Sequence, residues 1–141
     1  MKRNKFPIFI MLGATILSFF LFQYSPSSFA NYNDVMNSGL AFAAIGSAIL
    51  VLGLSFFPYS KKKSLVGNVY NKILESIIWG TIFYFVEAGL SLVGLFFSSE
   101  SDGLFSRIFV SIWIGIGISC VIVTINILRM ILKEISSSLE H

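Results

Sequence analysis

The chain has 141 residues, of which 55% are hydrophobic and only 12% are charged, and its mean hydropathy is +0.83. Soluble domains carry about a quarter charged residues, so this composition excludes an ordinary water-soluble domain. The formal net charge is +3, but the basic residues lack the interleaved aromatic side chains of a nucleic-acid-binding surface. We therefore expect no direct contact with nucleic acid.

The first predicted span covers residues 7–24 and follows a basic N-terminal tail. Pro7 suits the first turn of a helix, where its missing N–H would have no partner. A cleavable signal peptide is the alternative, because a basic start, an apolar stretch and the small residues around Ser28–Ala30 also fit one. The apolar run is longer than a typical signal core, which favours a retained helix.

Three further spans are predicted over residues 38–57, 72–97 and 105–132. Each contains an apolar run close to the roughly 20 residues that cross a bilayer, and the third is long enough to tilt or to extend beyond the membrane. The sequence thus predicts an all-α, polytopic membrane domain of four transmembrane helices over residues 1–138, with no soluble domain. Residues 139–141 are typical of a vector-derived tag junction.

Lysine and arginine are unevenly distributed between the ends of these spans. Nine of the ten lie in the N-terminal tail, in the loop after the second span, at the start of the third span or at the end of the fourth span. Because basic residues stay on the cytoplasmic side, both termini and the 60–71 loop are predicted to be cytoplasmic. The nine residues are Lys2, Arg3, Lys5, Lys61, Lys62, Lys63, Lys72, Arg129 and Lys133.

The residue inventory argues against an enzyme. Outside the tag residues the chain has no histidine and a single cysteine, Cys120, so neither a serine–histidine protease nor a His/Cys metal site can be assembled. The predicted spans contain no aspartate, whereas an aspartyl intramembrane protease needs two. The glycines lie inside apolar segments rather than in phosphate-binding loops. The sequence predicts no catalytic residue, no metal site and no cofactor.

Glu87 is the informative residue of the third span, about ten residues before its predicted end. An ionised carboxylate in the membrane costs on the order of 3 kcal/mol, so it must face protein or water, be protonated, or find a partner. Gly80, Tyr84, Ser91 and Gly94 recur with it at helical spacing, forming a small and polar stripe that lets another helix approach closely.

The fourth span carries a stripe that is predicted to face Glu87, and the rise of a helix places Glu87 level with Gly117 to Ser119 of an antiparallel neighbour. Three interpretations stay open for Glu87. It could be a protonated core group bonded to Tyr84, Ser91 or Ser119; copies from several subunits could line a cation or proton path; or it could act as a voltage or proton sensor. The stripe contains Gly115, Ser119, Ile122, Asn126, Arg129 and Lys133, of which Asn126 and Arg129 are predicted to provide helix contacts and an interfacial anchor.

Two further patterns concern partners. Lys61, Lys62 and Lys63, with Lys72 and Arg129 nearby, are either solvated membrane anchors or a docking patch for an acidic cytoplasmic protein or anionic lipid headgroups. The second span carries small residues at helical spacing, which favour tight helix contacts within or between subunits, so a homo-oligomer in the lipid bilayer is expected. These small residues are Gly39, Ala43, Gly46 and Gly53.

The four-span layout, the basic loop after the second span and the segment Phe85-Val86-Glu87-Ala88-Gly89 resemble the membrane subunits of two-gene phage-defence systems, namely RexB-like and Kiwa KwaA-like proteins. The resemblance implies a bacterial inner-membrane protein, a tetramer, and a cytoplasmic, DNA-associated partner. It also implies a role in depolarising the membrane or sensing infection at the envelope. Only Glu87 carries over by position. A small proton-coupled transporter and a structural assembly or immunity protein are the alternatives.

Overall fold

The computed structural model describes residues 5–21, 23–56, 67–97 and 102–139. They form the helices α1 (Phe6–Leu21), α2 (Tyr32–Phe56), α3 (Gly67–Gly94) and α4 (Leu104–Leu139), with a short 3₁₀ helix at Pro26–Ser28. Since these residues contain helices and no strand, the predicted all-α class is confirmed for the described part of the chain.

The described helices have the length and composition of a helical membrane protein. Among the described residues, three helical segments are long and apolar enough to cross a membrane: Tyr32–Ser55, Asn71–Gly94 and Leu104–Lys133. α1 is apolar but has only 16 residues, which is about 24 Å of helix against roughly 30 Å of hydrocarbon. Large apolar side chains cover the outer faces of the helices, as at Phe20, which is 71% exposed, and Phe85, which is 70% exposed. Contiguous apolar surface of this kind would drive association in water, and it suits contact with lipid.

The ends of the first two helices differ from the predicted spans. α1 ends at Leu21 rather than at residue 24, and Gln23 has a φ of 43°, a left-handed conformation that cannot continue a right-handed helix. α2 begins at Tyr32 rather than at 38 and carries Asp34 in its first turn. An acidic side chain is favourable at a helix N-terminus, so the polar residues that hydropathy excluded belong to the helix. The predicted end of the second span at 57 lies outside the described residues.

The last two helices are shifted as well. α3 runs from Gly67 to Gly94, and a turn follows it, in which the Leu95 N–H donates to the carbonyl oxygens of Ser91 and Leu92. Glu87 is therefore seven residues from the end of α3 instead of ten, about 10 Å along the axis. α4 begins at Leu104 and continues to Leu139, beyond the apolar stretch that was predicted to end at 132.

The helices pack in the spatial order α2, α3, α4, α1, with α3 and α4 in the middle. α3 runs antiparallel to α2, because Gly94 lies against Met36 while Gly80 lies against Leu50. It is also antiparallel to α4. α1 and α3 finish at the same end of the bundle at which α2 and α4 begin. We call it the Asp102 end, because Asp102 lies there, two residues before α4.

Close contact between α2 and α3 depends on Gly46. A Cβ at this position would collide with the ring of Tyr84, so the ring lies in close contact with the α2 backbone at Gly46. The predicted role of small residues on α2 is confirmed at Gly46 and also at Gly39, where a Cβ would lie 2.6 Å from the Trp113 ring. Gly53, by contrast, has nothing within 4 Å among the described residues.

Two buried clusters fill the interior. The larger one spans the middle of α2, α3 and α4 and includes Ile73, Ile77 and Cys120, all without exposed surface. The smaller one lies at the Asp102 end and is formed by Tyr32, Met36, Phe109 and Val110. α2 and α4 touch each other little, and this leaves a groove between them that has α3 as its floor.

Candidate functional site

Glu87 lies on the buried side of α3, with only 2% of its surface exposed. A Cβ added at Gly117 of α4 would lie 3.3 Å from its Oε1 atom and 3.8 Å from its carboxyl carbon. The carboxyl group therefore packs against the α4 backbone where no side chain intervenes. This contact confirms the helix register that was predicted from the axial rise.

The neighbouring polar groups bond elsewhere. The hydroxyls of Tyr84 and Thr124 share a hydrogen bond of 2.9 Å, and the indole Nε1 of Trp113 donates to Ser91 Oγ at 2.9 Å. Ser119 Oγ donates to the carbonyl oxygen of Gly115 at 2.7 Å. Tyr84, Ser91 and Ser119 were expected near the carboxyl group, but none of these hydrogen bonds is made to it.

Glu87 Oε2 is buried without a hydrogen-bond partner among the described residues. A buried polar atom with no partner costs about 1–3 kcal/mol, and native structures contain few of them. The carboxyl group is therefore a candidate functional group, which would bind a ligand, an ion or a proton during function.

The groove between α2 and α4 reaches this carboxyl group. Its volume is about 820 Å³, and its walls are Phe42 of α2 and Ile118 and Val121 of α4, with Trp113 beside them and Glu87 on the floor. Toward the Asp102 end it passes Gly39 and Ser38 and opens between the 28–31 segment and Asp34. Its lining contains two acidic residues and no lysine or arginine among the residues that the structure describes.

The stripe on α4 that was predicted to face Glu87 lies elsewhere. Gly115 packs against Thr15 of α1, and Ile122 lines a small apolar cavity between α1 and α4. The α4 face that meets α3 carries instead Trp113, Gly117 and Thr124. Small residues mark tight helix contacts in either case, and the pattern alone could not tell which neighbour they meet.

The remaining predicted residues are distant from the carboxyl group. Asn126 is half-buried on α4, nine residues from Gly117 and so about 13 Å further along the helix. Arg129 and Lys72 are exposed toward the end opposite Asp102. Lys61, Lys62 and Lys63 lie outside the described residues.

Trp113 and Asp34 are groove residues that the sequence did not single out. A tryptophan inside an apolar run usually indicates ordinary packing. The hydrogen bond from Trp113 to Ser91 depends on the neighbouring helix α3, which the sequence pattern does not identify. Asp34 was assigned to a loop, since the helix start was placed after it. Among the described residues, no group of three or more histidine, cysteine, aspartate or glutamate side chains could hold a metal ion.

A polar link closes the Asp102 end. The Asp102 carboxylate accepts a hydrogen bond from Ser25 Oγ at 2.6 Å and another from Ser27 Oγ, and these serines flank the start of the 3₁₀ helix. Both bonds favour the charged form, with Ser25 the larger cause, and they hold the pKa of Asp102 below its ordinary value. The segment after α1 is thereby fastened to the start of α4.

This link predicts an acid-sensitive loop. Because the pKa of Asp102 is lower in the folded protein, its contribution is present above the ordinary value of about 4 and is lost as the pH falls through the folded value. We expect hydrogen exchange in residues 24–30 to accelerate at low pH, and Asp102→Asn to show that faster exchange already at neutral pH. Asp34→Asn, which leaves both serine bonds intact, is the control. Unchanged exchange in Asp102→Asn would contradict the link.

No protein-family model matches the chain, and no curated protein or solved structure matches it. The resemblance to phage-defence membrane subunits therefore stays a prediction from the residues around Glu87 and from the layout of the spans.

Proposed function

We propose that this protein is a multi-pass, homo-oligomeric component of a bacterial inner membrane that belongs to a phage-defence pair and is not an enzyme. In this proposal it responds to ions or protons through Glu87 and engages a cytoplasmic protein partner, which the resemblance describes as DNA-associated. One observation carries the proposal: Glu87 is buried, its Oε2 has no partner, and it lies on the floor of a groove. Intramembrane carboxyl groups are expensive and usually functional.

Charge at the two ends of the bundle supports four spans with both termini in the cytoplasm. Asp34 and Asp102 lie at the Asp102 end, whereas Lys72, Arg129 and Lys133 are exposed toward the opposite end. The positive-inside rule places that opposite end in the cytoplasm. α1 would then be the first span, shorter than the hydrocarbon and accommodated by local thinning of the bilayer.

Cysteine labelling tests this topology. In a Cys120→Ser background, Ser28→Cys is expected to react with a membrane-impermeant maleimide added to intact spheroplasts, because Ser28 lies in the exposed segment at the Asp102 end. Ser136→Cys is expected to react only after lysis, and intact mass should show α1 still attached. Labelling in the reverse order, or loss of the N-terminal segment, would contradict the four-span proposal.

A phage-challenge assay in cells that carry the operon neighbour tests the role of the carboxyl group. We expect Glu87→Gln to lose most of the protection, since the amide keeps the shape of the side chain but can carry no charge. Glu75→Gln is a matched control on the same helix, about 18 Å away along the axis, and it should protect normally. Full protection by Glu87→Gln at normal membrane levels would remove the carboxyl group from the mechanism.

The partner surface is tested separately. Lys72 and Arg129 are exposed, and together with Lys61, Lys62 and Lys63 they would present positive charge to an acidic protein surface. A Lys61/Lys62/Lys63→Ser variant should no longer co-purify with the cytoplasmic partner. Retained co-purification would assign these lysines to membrane anchoring alone.

The groove favours a second candidate, a small proton-coupled transporter. The Glu87 carboxyl group lies on the floor of the groove between α2 and α4, which touch each other little. A ligand could exchange with a proton at this place. Proton uptake into proteoliposomes that depends on Glu87 and on an added substrate would favour this function. Conductance without substrate would favour the ion path.

A further inference from the structure

We propose that the groove between α2 and α4 binds an amphipathic organic cation, with its apolar body between the two helices and its positive centre beside Glu87. The inference rests on the proposal that Glu87 is the working group of this site, and it adds the chemical class of the ligand. The charge of the groove, its apolar and aromatic walls and the unpartnered carboxyl oxygen favour such a ligand.

Charge selects a cation. The described residues that line the groove include Asp34 near its mouth and Glu87 on its floor, and none of them is basic. A cation entering from the Asp102 end would pass the first carboxylate and reach the second. At the floor it would meet the side chain of Glu87, whose buried Oε2 has no partner among the described residues, in a region of low dielectric where an ion pair is strong.

The walls select an organic ion over a metal ion. Ile118 and Val121 on one side and Phe42 on the other are apolar and exposed, at 39%, 43% and 38%. Hard metal ions require about six oxygen ligands, which these walls do not supply. An alkyl or aryl body would instead bury apolar area against them.

Aromatic side chains strengthen this selection. Trp113 lines the groove, and its hydrogen bond to Ser91 fixes the orientation of the indole. Phe42 is packed against Tyr84 with ring centroids 5.5 Å apart. Tryptophan and phenylalanine faces attract quaternary cations, so the groove combines a carboxylate with aromatic walls.

A helix from a second copy is a poorer occupant. The exposed faces of the described helices are mainly apolar, so an inserted helix would bury Oε2 against hydrocarbon and leave it unpaired, at a cost that a cation avoids.

Protons should compete with the ligand for the same carboxylate. Other titratable groups near Glu87 are the Tyr84 hydroxyl on its own helix, the buried Cys120 thiol on α4, three residues after Gly117, and Asp34 on α2 at the mouth. Tyrosine and cysteine are neutral in acid, so neither of these two groups would account for a loss of binding on acidification.

Tetraphenylphosphonium is a suitable probe, and Trp113 is the reporter. In a Trp79→Phe background Trp113 is the only tryptophan of the chain, so its fluorescence reports the groove. We expect saturable quenching by tetraphenylphosphonium in the detergent-purified protein. Glu87→Gln should weaken it about tenfold or more, the loss of roughly one strong ion pair, whereas Glu75→Gln should leave it unchanged.

Two further measurements guard against partitioning into detergent and against misfolding. Neutral triphenylphosphine oxide should quench weakly and identically in all variants, and Gly117→Ala, which keeps the carboxyl group but would place a methyl group 3.3 Å from its Oε1 atom and displace it, should also weaken the phosphonium titration. Equal quenching by the neutral probe, or equal affinity in Glu87→Gln, would overturn the cation site. If the wild type shows no saturable binding while Glu87→Gln still abolishes phage protection, this inference fails and the proposed function stands.

Discussion

Glu87→Leu is expected to make the protein more stable and to abolish its protection against phage. The carboxyl group is 2% exposed and its Oε2 has no partner among the described residues, so folding buries a polar atom without compensation. Replacing it with an apolar side chain of similar size removes a penalty of about 1–3 kcal/mol. We expect a higher resistance to unfolding in an SDS titration of the detergent-solubilised protein.

A gain in stability together with a loss of protection distinguishes a functional carboxyl group from a structural one. Ser119→Ala is a suitable control, because its hydroxyl donates to its own helix at Gly115 and its loss should change stability little. A Glu87→Leu protein that is less stable than wild type would show that the carboxyl group has a stabilising partner, such as a group in another subunit. That result would favour the structural alternative.

The four α-helices of the described residues could be predicted from hydropathy, because long uncharged runs have no other stable form in a bilayer. Their ends could not. Asp34 belongs to α2 although it is charged, since a helix N-terminus accommodates an acid, and α1 stops at Leu21 although Tyr24 would fit a membrane interface. Whether α1 spans the membrane depends on its neighbours and on the bilayer, which sequence length alone does not specify.

Only part of the candidate site could be predicted from the sequence. Glu87 was found from the cost of its charge, and its level against Gly117 from the rise of a helix. The groove could not be predicted, because it results from the spatial order of the helices, which leaves α2 and α4 apart. Trp113 was missed for the same reason, since its hydrogen bond to Ser91 joins residues on different helices.

Gly115→Ala is expected to release α1 from the rest of the bundle. A Cβ at this position would lie 2.6 Å from the Cα and 2.8 Å from the N of Thr15, and both are backbone atoms that cannot rotate away. The helices must separate instead, which typically costs about 1–3 kcal/mol for an overpacked contact. α1 packs almost entirely on α4, so this cost falls on its only extensive contact among the described residues.

Limited proteolysis of the purified protein, with cleavage between α1 and α2 followed by mass spectrometry, would measure the release of α1. Gly13→Ala is the matched control: nothing described lies within 4 Å of a Cβ there, and alanine should stabilise the helix by roughly 0.5–1 kcal/mol. Combining Gly115→Ala with Thr15→Ala should not restore packing, because the obstructing atoms are backbone. Wild-type protease resistance in Gly115→Ala would mean that α1 is not held at this crossing, and the first span would then need another anchor.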